Sequence, residues 1–441
     1  MNNYLKIFRI VVLSIILLSI FCKPENSNNL LYNINVQINP SSNQIHCKVN
    51  IQNPPDSCFY INKDFKIIKI TANEHSLLFH RIDTEYLPYT VGNAIVIDGD
   101  YQNSLMIEYT GSIDQVINNV NMVQTDLVEL ALYSAWYPLF RRAGKFEFEI
   151  DVDLPAGYLT TTNGIIDHQQ EVDGRSLSKW NSFNPGSDIV LIASPHLEKL
   201  EEAQMDTKIE IFFNKSPKEY IIAKKENLKK AILRLSKFYG PLQTQGLIRY
   251  VNSPRSGWGY SRAPLFIVSE EYSISQFDQE FGQARDFHGS VHELAHFWWL
   301  IADANTPNDW INEGLAEYSA FRLSEEFSGK TFADVLVKEY QEHAVQSRTD
   351  TPIAETTNLS DDRYVNRYEK MTLIFIEAQR RYGQEKLDQV FKALYSKFAG
   401  TNNATTEQFL MEVGNQLGSD AKIFFNTVLY QKHWNDPAKL P

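Results

Sequence analysis

The sequence predicts a multi-domain chain, an all-β antiparallel N-terminal domain followed by an α+β domain. Three observations carry this. From about Leu30 to His196 the segments YNINVQI, QIHCKVNI, KIIKITA, AIVIDG, SLMIEYTG, KFEFEIDVDLP and DIVLIAS are short, β-branched or aromatic, and bounded by Asn, Gly, Pro or Asp. After about Met205 the texture becomes helical: 218–240 has a helical period and stops at Gly240-Pro241. Helical stretches follow at 277–301, 311–327, 331–347, 365–382, 384–398 and 405–417, with one β segment between, LIRYVN with LFIVSEE. The length, 441 residues, fits two or three domains at ~150 residues each. The expected organisation is a leader over 1–22, a linker over 23–29, a β-rich domain over 30–204 and a second domain over 205–441.

Composition narrows the function. With 43% hydrophobic and 22% charged residues the chain can bury a core, which excludes intrinsic disorder and coiled coil. A formal charge of -12 leaves no basic footprint, so no nucleic-acid partner is expected. Three cysteines exclude a disulfide scaffold and a zinc module built on four cysteines.

The N-terminus points to export. Lys6 and Arg9 precede Ile10–Phe21, a 12-residue run that is apolar apart from two serines. A membrane span needs ~20 apolar residues and a signal h-region ~7–15, so the run reads as a signal peptide, the alternative being an uncleaved anchor. Cys22 closes the run and the polar KPENSNN follows, which resembles the lipobox of bacterial lipoproteins with Phe21 where a small residue is usual. The expected location is the bacterial cell envelope or periplasm, with membrane contact only through the signal or a lipid anchor at Cys22. In an oxidising space Cys47 and Cys58, flanking the turn signal Asn53-Pro54-Pro55-Asp56, form either a cross-strand disulfide or two free thiols.

The chemistry lies in one helix. His292-Glu293-Leu294-Ala295-His296 places two imidazoles one turn apart on one face, able to grip a metal ion from the same side. Glu293 lies next to that face and can take a proton from an activated water. The flanks, FGQARDFHGSVHELAHFWWLI, contain no proline and are apolar on one side. A catalytic zinc needs a third protein ligand and an open fourth position.

After a short loop the chain reads Trp310-Ile311-Asn312-Glu313-Gly314-Leu315-Ala316-Glu317-Tyr318. HELAH followed by WINEGLAEY resembles the gluzincin metallopeptidases of the membrane alanyl aminopeptidase family, which carry HExxH and then W-x-N-E-G. The resemblance implies a thermolysin-like α+β catalytic domain and one zinc ion per chain. It implies His292, His296 and Glu313 as metal ligands and Glu293 as general base. The 16 residues between His296 and Glu313 are slightly fewer than is usual, and the loop ADANTPND can absorb the shortening. Glu317, one turn beyond Glu313, is the rival ligand; its other reading is a carboxylate that orients a ligand. His288, one turn before His292, reads as structural or as support for the ligands, because a fourth protein ligand would close the site.

Tyr368-Glu369-Lys370-Met371, with its tyrosine 55 residues past Glu313, resembles the family's Y-E-K-G. The resemblance implies that the Tyr368 hydroxyl stabilises the oxyanion of the tetrahedral intermediate. Tyr364, one turn earlier, is its competitor. The third family motif, G-x-M-E-N, whose glutamate holds the substrate's amino group, is degenerate here. The stretch is Gly257-Trp258-Gly259-Tyr260-Ser261-Arg262-Ala263-Pro264 before the strand LFIV, and neither register supplies a carboxylate. Gly259 lets a substrate backbone come close, and Ser261 and Arg262 are expected beside it, Arg262 favouring carboxylates over ammonium groups. Glu129, nine residues before Pro138, stands where the family places a further amine-binding glutamate; an ordinary strand carboxylate is its other reading.

With about 70 residues past Tyr368, no counterpart of the family's C-terminal helical domain is expected, and with that a more open cleft. The implied function is an exported zinc metallopeptidase acting on peptides, aminopeptidase-like, with exo and endo cleavage both open. The alternatives are a non-catalytic peptide-binding protein on the same fold and a zinc hydrolase of non-peptide amides or esters.

Overall fold

The computed structural model describes residues 29–85, 90–99, 101, 103–114, 120–204, 206–242, 246–270, 280–347 and 350–434. The leader, Cys22 and most of the expected linker lie outside them. The chain forms two units, divided at Ala193/Ser194, earlier than the texture change at 205 suggests.

Alternation builds the first unit. In Leu31–Asn39 and Gln44–Gln52 every second residue is buried, Tyr32, Ile34, Val36 and Ile38, then Ile45, Cys47, Val49 and Ile51, while the polar residues between them face out. These strands lie within an eight-stranded sheet, accompanied by a four-stranded and a three-stranded sheet. The pairings in the eight-stranded sheet are antiparallel except one. Leu31–Asn39 runs parallel to Glu147–Pro155, which departs from the fully antiparallel domain expected. Strands so far apart in sequence share no turn, so no local signal announces their direction. Two strands that the hydrophobic pattern did not reveal, Gly164–Val172 and Arg175–Ser182, form a hairpin with the two-residue turn Asp173-Gly174, both at positive φ (50° and 75°). Cys47 and Cys58 lie in different sheets and are free thiols; burial pushes the Cys47 thiol up to about 12.

The second unit contains a five-stranded mixed sheet: β1 (Glu198–Gln204), β2 (Thr207–Phe213), β3 (Leu247–Ser253), β4 (Tyr260–Arg262) and β5 (Leu265–Ser269), in the order β1-β2-β3-β5-β4. β2, β3 and β5 are parallel; β1 and the short edge strand β4 are antiparallel to their neighbours. α1 (Lys218–Tyr239) makes the crossover from β2 to β3 and ends at Gly240, φ 110°. β1 pairs with β2, which is why the second unit begins before residue 205. Among the described residues seven helices follow: α2 (Gly282–Trp299), α3 (Trp310–Ser328), α4 (Lys330–Gln346), α5 (Met371–Tyr382), α6 (Gln384–Phe398), α7 (Thr406–Leu417) and α8 (Ser419–Tyr430). α8, rich in aromatic and β-branched residues, was not expected, yet it buries Ala421, Phe424, Phe425, Val428 and Leu429 at helical spacing.

α2 is buried almost all round and braced by α1. Lys224 of α1 is buried, forms an ion pair with Asp286 of α2 and donates to Ser290 Oγ (2.9 Å); Tyr220 donates to Asp286 Oδ1 (3.0 Å). Breaking a buried pair strands one charge, so Lys224→Met is expected to cost about 3–5 kcal/mol in urea unfolding. Adding Asp286→Leu is expected to recover much of that loss.

Candidate metal centre

The elements around α2 set the geometry. His292 and His296, one turn apart, present ring centroids 4.9 Å from each other at 88°. Glu313 lies in the first turn of α3. The loop joining the two helices is tied by Asn312, whose Oδ1 accepts from Ile301 N and Ala302 N (both 3.0 Å) and whose Nδ2 donates to Ala302 O (3.0 Å) and Asp309 Oδ1 (2.9 Å). Trp310 is buried and donates from Nε1 to Thr406 Oγ1 (2.9 Å), which anchors the start of α3. Gly314 faces the next element so closely that an added Cβ would stand 2.7 Å from Met371 Cβ and 3.0 Å from Arg367 O. The asparagine, tryptophan and glycine of WINEG therefore have packing roles around the glutamate.

His292, His296 and Glu313 converge. One ligand atom from each lies within 4.8 Å of the others. Glu313 Oε2 stands 3.4 Å from His292 Nε2 and 3.2 Å from His296 Nε2, is buried and accepts no well-formed hydrogen bond. A buried oxygen without a donor, facing two imidazole nitrogens, is satisfied by a cation; the two-nitrogen, one-oxygen set suits zinc.

Glu317 occupies a different position. It accepts from His292 Nδ1 (2.7 Å) and from His288 (Nε2, 2.9 Å), and Tyr340 donates to it as well. The Nδ1 contact leaves His292 Nε2 turned toward Glu313, the arrangement by which a carboxylate fixes a ligand imidazole. Burial opposes ionisation of Glu317, but the facing His288 and His292 outweigh it and hold the carboxyl well below its ordinary range. His288 bridges Glu317 and Ser324 Oγ (3.0 Å). Tyr340, on α4, had no sequence signal.

Tyr368 lies in a π-helical turn, Val365–Lys370, that runs into α5. Such turns add a residue and re-aim side chains, and they recur at functional sites. Its ring stacks on His292 with centroids 5.3 Å apart at 12°. Tyr364 stacks on the outer side of Tyr368 (4.5 Å) and is 54% exposed, so Tyr368 is the one beside the imidazole. The turn is pinned by Arg367, which pairs with buried Asp309 (2.8 Å), and by Lys370, which donates to Asn366 Oδ1 (2.7 Å). Burial, with the Glu313 and Asp309 carboxylates nearby, holds the Tyr368 phenol well above its ordinary range, and therefore protonated.

The expected substrate contacts divide. Ser261, on β4, faces α2, with its hydroxyl 2.9 Å from Glu293 Oε2 and 2.6 Å from Glu293 O. Gly259 lies against the same side chain, since an added Cβ would stand 2.8 Å from Glu293 Oε1. Arg262 packs over the Tyr260 ring (5.6 Å) and donates to Ser261 O (2.7 Å). Glu129 belongs to the first unit, on a short strand opposite Ile192 and Met122.

No family model matches the sequence, and no curated protein matches it. Solved structures do. An M1 zinc metallopeptidase mutant from Deinococcus radiodurans, bound to a Tyr-Ser-Ala substrate, superposes with a TM-score of 0.72 at 15% identity, over 94% of this chain and 96% of that one. The M1 zinc metallopeptidase of the same organism gives 0.71 at 15% identity, over 94% and 95%. A two-domain M1 zinc metallopeptidase mutant bound to L-tryptophan gives 0.71 at 14% identity, over 95% and 99%. The chain has the fold of these enzymes.

Proposed function

We propose that the protein is a zinc metallopeptidase of the M1 kind, holding one zinc ion through His292, His296 and Glu313. The observation that carries this reading is the buried Glu313 Oε2, without a hydrogen bond and facing two imidazole Nε2 atoms. The fold shared with M1 zinc metallopeptidases, one of them bound to a Tyr-Ser-Ala substrate, supports peptides as the substrate class. Zinc held there supplies Lewis acidity to the scissile carbonyl and to the attacking water.

The chain's own groups do the rest. Glu293 accepts the proton of the attacking water and delivers it to the leaving amine. Tyr368, a protonated phenol stacked on His292, donates to the oxygen that gains charge in the transition state. Glu317 fixes the orientation of His292. Tyr368→Phe is therefore expected to lower kcat by about 10²-fold with KM little changed, because the hydroxyl acts only in the transition state. Tyr364→Phe is expected to leave both near wild type.

On the sequence of the leader over 1–22 alone, we place the activity in the cell envelope or periplasm, either with the signal cleaved or with Cys22 as the site of a lipid anchor. The segment Gly257–Arg262 carries no carboxylate to neutralise a substrate ammonium group, and a solvent-exposed ion pair made elsewhere would contribute only about 0–1 kcal/mol. Free and N-acetylated peptides are accordingly expected to be cleaved at rates within about tenfold of each other, with acidic side chains favoured near Arg262. Peptide profiling with both kinds of substrate, before and after zinc chelation, tests the proposal. Zinc-dependent cleavage supports it. Zinc-independent cleavage, or none on any peptide, refutes it, and strict dependence on a free amine refutes the specificity.

A further inference from the structure

The edge strand β4 grips one side chain of the site. Glu293 is half-buried on α2, and a glutamate there has three rotatable bonds and no intrinsic preference for one carboxylate position. Gly259, just before β4, lies against Glu293 Oε1 and Cγ, which a Cβ at that position would meet at 2.8 and 3.0 Å. On the other side the Ser261 hydroxyl stands 2.9 Å from Glu293 Oε2 and 2.6 Å from the main-chain carbonyl of the same residue. Its single proton is shared between the two acceptors, so one side chain ties the strand both to the helix backbone and to the carboxylate. Ser261 is 3% exposed, which leaves almost no surface for a substrate to touch.

We propose that Ser261 is the positioning residue of Glu293, clamping its carboxylate between β4 and α2 in the space that Gly259 leaves open. The proposal rests on the peptidase reading, in which Glu293 is the base, and it replaces the substrate contact expected for Ser261. A base must be held to within a fraction of an ångström of its working position, and a side chain free to sample several rotamers is not.

The test compares two pairs of variants of the full chain, Ser261→Ala with wild type, and Ser261→Val with Ser261→Thr. The second pair has matched volume and differs in the hydroxyl, so any steric cost in the buried site cancels. Loss of a hydrogen bond to a charged group is expected to lower kcat by about 10- to 100-fold in Ser261→Ala relative to wild type, and in Ser261→Val relative to Ser261→Thr. KM and zinc content stay unchanged. Crystals of the metal-free proteins give a reading independent of hydrolysis: Glu293 is expected in one conformation in wild type and Ser261→Thr, and displaced or multiple in the other two. Equal kcat within each pair, a rise in KM alone, or an unmoved Glu293 carboxylate overturns the proposal. Should the wild type cleave no peptide, the peptidase reading fails, and the crystals still decide whether Ser261 holds Glu293.

Discussion

Glu293→Gln is expected to lower kcat by about 10³-fold while zinc binding remains stoichiometric. The amide has nearly the shape of the carboxylate and still offers an oxygen to the Ser261 hydroxyl, 2.9 Å from Oε2 in the native chain. It cannot take a proton from water at neutral pH, so the change isolates proton transfer from metal binding. Parallel measurement of zinc content and single-turnover hydrolysis checks it. Loss of zinc together with activity would mean that Glu293 takes part in holding the metal.

Glu313→Ala is expected to abolish stoichiometric zinc binding, and with it hydrolysis. The third donor of the cluster disappears, and His292 Nε2 and His296 Nε2 lose the oxygen 3.4 and 3.2 Å away. Glu317→Ala behaves differently. It frees His292 Nδ1 and leaves His288 and Tyr340 without their shared acceptor, so zinc affinity is expected to fall about 10- to 100-fold without vanishing. Competition with a chromophoric chelator separates the two. The reverse order of effects would make Glu317 the ligand.

The contrast between these glutamates shows what was legible in the sequence. His292 and His296 are one helical turn apart, and geometry follows from spacing alone. Glu313 and Glu317 are also one turn apart, so spacing could not rank them; the resemblance of WINEG to a known motif did. Their separation in space depends on Asn312 and Gly314 setting α3 against the α2 end and the π-helical turn. Tyr368 and Tyr364 pose the same problem. A π-helical turn has no residue signature, yet it decides which ring reaches His292.

Other features were illegible for a different reason. Lys224 in an amphipathic helix reads as solvent-facing, and its burial follows only from Asp286, 62 residues away. Ser261 and Gly259 share a strand face by the period of two, but the sequence does not say which face meets Glu293. Two misses were readable. Asp173-Gly174 is a strong hairpin signal, and the apolar residues of α8 recur at helical spacing despite their β-favouring types.

Anomalous diffraction at the zinc edge from crystals of the purified protein shows whether zinc sits between His292, His296 and Glu313. One peak per chain is expected, about 2.0–2.2 Å from His292 Nε2, His296 Nε2 and a Glu313 carboxylate oxygen, with Glu317 still bonded to His292 Nδ1. Zinc bound by Glu317 in place of Glu313, or a zinc-replete protein with no peak between these three side chains, would contradict it.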